Sequence, residues 1–159
     1  MTICTGIGYD SHRLGEGRPL VLGGVEVAND RGLEGHSDAD VLTHAVIDAL
    51  LGAATLADIG EHFPDRDERY RDANSLELLR DTVAMLHGRG CSPLHVDATV
   101  VIERPKLADV REEIRRSLAG ALGISVEHVS VKATRGEGMG FVGREEGAAA
   151  LAVATVERE

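Results

Sequence analysis

The chain has 159 residues, enough for one domain with its own core, and one domain over 1–159 is expected. Its 27 acidic and 17 basic residues leave a formal net charge of −10, which excludes a broad nucleic-acid footprint; local cations, helix N-termini or metal ions can still hold an anionic substrate. Cys4 and Cys91 form no Cys-x-x-Cys pair, and no basic stretch with an apolar run or long apolar segment occurs, so a disulfide framework, thiolate zinc site, secretion signal and membrane span are set aside and the cytoplasm is expected.

Ile3 to Ser11 predicts a strand whose line continues to His12, so that Asp10 and His12 share one face at positions i and i+2. Leu20 to Leu22 and Val25 to Val27 flank Gly23-Gly24 and predict a hairpin with a primed turn. From Asp38 the period becomes helical: Leu42, Ala45, Val46, Ala49, Leu50 and Ala53 form the apolar stripe, and Asp40, His44 and Asp48 fall on another face. Either carboxylate can then orient the His44 imidazole. Ser37 or Asp38 is expected to cap this helix, which puts His36 where anions are favoured.

Asp58 to Asp72, acidic and broken by Gly60 and Pro64, predicts a loop. Asn74 followed by Glu77 starts a second helix with Leu76, Leu79, Val83 and Leu86 inward, ended by Gly88 and Gly90. His95 to Ile102 alternates as a strand that Pro105 stops. Val110, Ile114, Leu118 and Leu122 predict a third helix closed by Gly123, followed by a strand from Val129 to Thr134. Ala148 to Val156 is alanine-rich, but its valines and Thr155 favour a strand. Hairpins with separated helices predict an α+β fold, helices layered on one face of a sheet.

Asp10, His12 and His44 offer two imidazoles and a carboxylate, a set that holds zinc with a fourth position open for water or substrate. Spacing alone leaves a chance arrangement open. His36 reads as a hydrogen-bond donor to phosphate, with a fourth metal ligand or a solvated loop histidine as alternatives. His62, His87, His95 and His128 sit in no pattern. In Lys132 to Arg144, closely spaced glycines let backbone N–H groups approach a phosphate and Glu137 can hold a divalent ion, although a plain flexible loop has the same composition. Glu103 to Leu107 either ends a strand or grips a flat base.

Gly8-Tyr9-Asp10-Ser11-His12, Gly35 to Asp40, Asp58-Ile59-Gly60 with Phe63-Pro64-Asp65, Pro105-Lys106, and Lys132-Ala133-Thr134 with Gly140 to Arg144 together resemble the 2-C-methyl-D-erythritol 2,4-cyclodiphosphate synthases of the non-mevalonate isoprenoid pathway, in order and over nearly the whole chain. The resemblance implies a homotrimer with mixed sheets facing the threefold axis and three active sites between subunits. It implies cyclisation of a cytidine-diphosphate-linked methylerythritol 2-phosphate with release of CMP. Asp10, His12 and His44 are then the zinc ligands, and Glu137 holds a second ion, Mg²⁺ or Mn²⁺. His36 and Ser37 meet the phosphates; Asp58, Ile59, Gly60, Phe63, Pro64, Asp65, Arg66 and Asp67 meet the methylerythritol side; Ile102, Glu103, Arg104, Pro105, Lys106, Leu107 and Ala108 meet the cytidine. The 2-phosphate attacks the β-phosphorus of the same molecule, so cations and positioning are required and a protein nucleophile is not.

One departure from the family is visible. Thr134 is usually followed by a second Thr credited with steadying the transition state, but here Arg135 and then Gly136 follow. Arg135 is read as a phosphate contact in its place, with Thr134 or backbone N–H groups as the alternative. Phe141, Arg144 and Glu146 resemble residues lining the trimer axis, where an isoprenoid diphosphate has been proposed to bind; for Phe141 packing between subunits is the preferred reading. Two rival functions fit the same residues: a zinc phosphohydrolase, and a non-catalytic trimer that binds nucleotide or isoprenoid diphosphate.

Overall fold

A computed structural model describes residues 1–159. In chain order, β1 (Thr2–Gly15) leads to β2 (Leu20–Leu22), β3 (Val25–Val27) and β4 (Gly32–Leu33). Next come α1 (Val41–Ala53), a short α2 (Ile59–His62) and α3 (Ser75–His87), then β5 (Cys91–Val101), α4 (Arg111–Leu122) and β6 (Val129–Thr134). A one-turn α5 (Gly140–Gly143) and β7 (Gly147–Arg158) complete the chain. The five-stranded sheet runs β4-β1-β7-β5-β6, and β2-β3 is a separate hairpin. Only the β5–β6 pair is parallel, so the sheet is mixed.

β1 and β7 pair antiparallel from Thr2↔Arg158 to Arg13↔Gly147. Along β7, Ala148, Ala150, Ala152 and Ala154 are buried, and opposite them β1 offers Gly6 and Gly8. A Cβ on Gly6 would lie 2.1 Å from the Ala49 carbonyl oxygen, and one on Gly8 would lie 1.9 Å from that of Ala45. These small residues let α1 settle almost backbone to backbone on β1 and β7. α3 packs beside α1 and against β5, while α4 packs on α3 and β6. Leu42, Ile47, Leu50, Leu51, Leu79, Leu86, Ile114, Leu118 and Leu122 fill the core between them. The alternate residues of β1 and β7, Ile3, Ile7, Tyr9, Leu151 and Val153, stay exposed.

The hairpin, α3, α4 and β6 lie where periodicity and turn residues predict. Gly23 and Gly24 both have positive φ, as a primed turn demands, and Gly123 closes α4 in the left-handed region. The alanine-rich tail is strand because it inserts between β1 and β5, and sheet context overrides alanine's helix propensity.

Other expectations need correction. The α1 cap is Asp40, neither Ser37 nor Asp38. Its fully buried carboxylate accepts from Thr43 N and Thr43 Oγ1, and also from Gly23 N and Gly24 N of the hairpin. Burial pushes the Asp40 carboxyl up, against the pull of these donors. Asp48 accepts from Ile59 N, so neither carboxylate orients His44. The stretch Asp58 to Asp72 is structured: Asp58 caps α2, Asp67 caps a 3₁₀ turn over Glu68–Tyr70, and Phe63 packs edge-to-face on Tyr70 at 5.4 Å. Two short elements, β4 and α5, carry too few residues for a periodic signal.

Candidate active site

β1 presents Asp10 and His12 on one face, and docking of α1 brings His44 to them. Asp10 Oδ2 lies 2.8 Å from His12 Nε2 and 3.1 Å from His44 Nδ1, and the two nitrogens are 3.3 Å apart. The far nitrogen of His12 donates to the Glu34 carbonyl at 2.9 Å, so that in the neutral ring Nε2 carries the lone pair. Gly35 makes room for this ring, since a Cβ there would stand 3.1 Å from it. His44 Nε2 lies 2.8 Å from Ser75 Oγ and 3.2 Å from Ser37 Oγ.

Positive charge is favoured among three ligand atoms so close together. Burial alone would raise the Asp10 carboxyl, but hydrogen bonds from His12 and His44 hold it at about 2. For His12, burial opposes the charged ring and Asp10 outweighs it, so its pKa is raised. A divalent ion satisfies the same demand: bonds of roughly 2.0 to 2.1 Å in tetrahedral directions place neighbouring ligand atoms about 3.4 Å apart, close to the spacing found here. The Asp10, His12 and His44 set therefore fits a metal ion with one position open.

The three residues lie in a cleft of about 730 Å³ that His36, Ser37, Ile59, Gly60, Phe63, Pro64, Asp65 and Arg66 also line. His36 is not one of the clustered ligands. Its Nε2 donates to the Asp67 carbonyl at 3.0 Å, tying the α2 segment to the approach of α1. Asp58 and Asp67 do not line the cleft; besides their capping roles, Asp67 binds Arg69.

A second cleft, about 250 Å³, is lined by Ile102, Glu103, Pro105, Lys106, Leu107, Ala108, Thr134 and Arg135, with Arg111 at the start of α4. Arg104 points away to Glu145. Glu103 accepts from Arg135 Nη2 at 2.9 Å and from the Gly136 backbone N–H at 2.8 Å, clamping the end of β5 to the glycine turn. Glu137 is exposed at φ 53°. A third hollow holds Phe141 and Glu146, and Glu146 pairs with Arg144.

A profile of the YgbB family matches residues 3–157. The 2-C-methyl-D-erythritol 2,4-cyclodiphosphate synthase of Salinibacter ruber is 60% identical over 152 residues, covering 96% of this chain and 97% of its own. The chain belongs to the YgbB family. A solved 2C-methyl-D-erythritol-2,4-cyclodiphosphate synthase in a CDP-bound form aligns with a TM-score of 0.88 and 35% identity, over 96% of this chain and 99% of its own. That of Plasmodium vivax aligns with 0.84 and 34%, over 99% of both chains.

Within this family framework, sequence reasoning missed Ser75, Tyr70, Leu78 and Arg111, which line or border the two clefts. Ser75 had only a weak signal, its place one residue after the Asn74 cap. Its contact with His44 depends on how α3 packs beside α1, which periodicity does not encode.

Proposed function

We propose that the chain cyclises 4-diphosphocytidyl-2-C-methyl-D-erythritol 2-phosphate to 2-C-methyl-D-erythritol 2,4-cyclodiphosphate in non-mevalonate isoprenoid synthesis, as a single catalytic domain over residues 1–159. The convergence of Asp10, His12 and His44 in a cleft, in a chain of this family, carries the reading. An oxygen of the 2-phosphate forms a bond to the β-phosphorus as the bond from that phosphorus to the CMP oxygen breaks, so CMP leaves with the electron pair and no water is consumed.

The residues then divide the work. Asp10, His12 and His44 would hold Zn²⁺, and Glu137 a Mg²⁺ or Mn²⁺ on the diphosphate. When bound, these ions supply positive charge that offsets repulsion between the phosphates and the charge developing on the leaving group. Ser37 and His36 border the phosphates, and the α2 segment from Ile59 to Arg66 closes on the methylerythritol portion. The apolar floor of Ile102, Pro105, Leu107 and Ala108 takes the cytosine, with Lys106 at its rim. Arg135 spends one N–H on Glu103, and its remaining donors are free to meet a phosphate. Holding both phosphates of one molecule in place makes the attack intramolecular, a positioning effect of about 7 to 11 kcal/mol in favourable cases.

The assembly proposed is a homotrimer. The metal cleft and the nucleotide cleft share no lining residue within one chain, so a site shared between subunits is the arrangement that joins them. Ile7 pairs with Val153 and Tyr9 with Leu151 across β1 and β7, which makes their exposed side chains one apolar face suited to the threefold axis. No helix is long and apolar enough to cross a membrane, and both cysteines are free, in keeping with a cytoplasmic enzyme. Wild type should release CMP from the cytidine-linked substrate, and His44→Ala should fall by about 100-fold or more. Equal CMP release by both would remove the metal site from the reaction.

A further inference from the structure

We propose that Asp38 and Ser75 form a hydrogen-bond relay that fixes the tautomer of His44, making them positioning residues for the metal-binding reading on which this inference rests. Ser75, the first residue of α3, is fully buried. Its hydroxyl contacts Asp38 Oδ1, and its backbone N–H donates to Asp38 Oδ2 at 2.8 Å. The Asp40 N–H also donates to Asp38 Oδ1, at 3.2 Å, so Asp38 is held from both sides as an acceptor.

A carboxylate has no hydrogen to give, so the single hydroxyl hydrogen of Ser75 points at Asp38. Ser75 Oγ, 2.8 Å from His44 Nε2, is then left with lone pairs only, and the hydrogen between them belongs to the imidazole. With a metal ion in the cluster, His44 donates from Nε2 and turns the lone pair of Nδ1 to the position it shares with Asp10 Oδ2 at 3.1 Å and His12 Nε2 at 3.3 Å; without the ion, Asp10 competes for a hydrogen on Nδ1. The opposite tautomer would set two lone pairs against each other across the shorter contact, with Ser37 Oγ at 3.2 Å as the other donor in reach of Nε2, and its Nδ1–H bond to Asp10 is the one a bound metal ion replaces. His12 reaches the same result by another route: the Glu34 carbonyl takes its Nδ1 hydrogen and frees Nε2.

The two imidazoles thus meet the metal position through different nitrogens, each set by its own partner. Asp38 also passes negative charge through the Ser75 hydroxyl to His44, which strengthens Nδ1 as a ligand, in the manner of carboxylates behind metal-bound histidines. Because Ser75 begins α3 and Asp38 precedes α1, the relay couples the packing of both helices to the metal site.

Side-chain ¹⁵N NMR of the metal-free and zinc-loaded protein tests the tautomer directly, with zinc affinity measured by chelator competition. In zinc-loaded wild type the hydrogen is expected on Nε2 of His44, with zinc affinity 10- to 100-fold weaker in Ser75→Ala and Asp38→Asn and recovered in Ser75→Thr. Zinc bound through Nε2 of His44, or unchanged affinity in a folded Ser75→Ala, overturns the relay. Wild type that binds no zinc would defeat the metal reading itself, and the relay with it, whereas zinc-binding wild type with an unaffected Ser75→Ala defeats the relay alone.

Discussion

Gly8 of β1 and Ala45 of α1 approach so closely that a Cβ on Gly8 would stand 1.9 Å from the Ala45 carbonyl oxygen. That approach sets the reach of His44, one residue before Ala45, to Asp10, two residues after Gly8. Gly8→Ala should therefore push α1 off the sheet, with a loss of about 3 kcal/mol or more in chemical denaturation and loss of metal binding together. A variant of wild-type stability would show that the helix and strand are not locked in this way.

Asp40→Ala removes an acceptor of four hydrogen bonds and leaves Gly23 N, Gly24 N and Thr43 N without that partner. The expected cost is about 3 kcal/mol, read as a lower denaturant midpoint at unchanged slope. A change below about 0.5 kcal/mol would contradict the capping role.

Zinc affinity should rise with pH. His12 must lose its proton to bind metal, and its pKa is raised above the ordinary 6.5, so the proton competes into that higher range. Asp10, held at about 2, is already charged and adds no slope near neutrality. The sign reverses for stability of the metal-free fold: the contribution of charged His12 is present below 6.5 and lost as pH rises through its raised value. Chelator competition from about pH 5.5 to 8.5 should show affinity still climbing above 6.5; a flat curve would be inconsistent with a protonated His12 in the metal-free site.

Arg135→Ala should raise KM for the cytidine-linked substrate about tenfold, because a charged hydrogen bond to phosphate is lost. The Glu103 pair is largely exposed on the arginine side, so stability should change by less than about 1 kcal/mol. Unchanged KM and kcat would assign Arg135 to the surface.

Within the Asp10, His12 and His44 cluster, the pairing of Asp10 with His12 was legible because strand alternation put both on one face. The Asp10 to His44 contact itself depends on the Gly and Ala packing, which periodicity registers only as small residues. Asp40 misled because a carboxylate at i−4 from His44 reads as its partner, while tertiary packing delivers the hairpin N–H groups to it first. The Asp58 to Asp72 stretch looked like loop since its elements are each about one turn, stabilised by single caps at Asp58 and Asp67 that Gly60 and Pro64 obscured. The α+β class followed from the spacing of helices and strands, but the order β4-β1-β7-β5-β6 depends on which strands meet in space.

Mass spectrometry of the products formed from the cytidine-linked substrate, in zinc and Mg²⁺, bears on the proposed reaction without intermediaries. Intramolecular attack predicts CMP and a cyclic diphosphate in equal amounts with no inorganic phosphate. Release of inorganic phosphate would identify a phosphohydrolase, and unchanged substrate bound to folded, metal-loaded protein would identify a binding module; either result contradicts cyclisation.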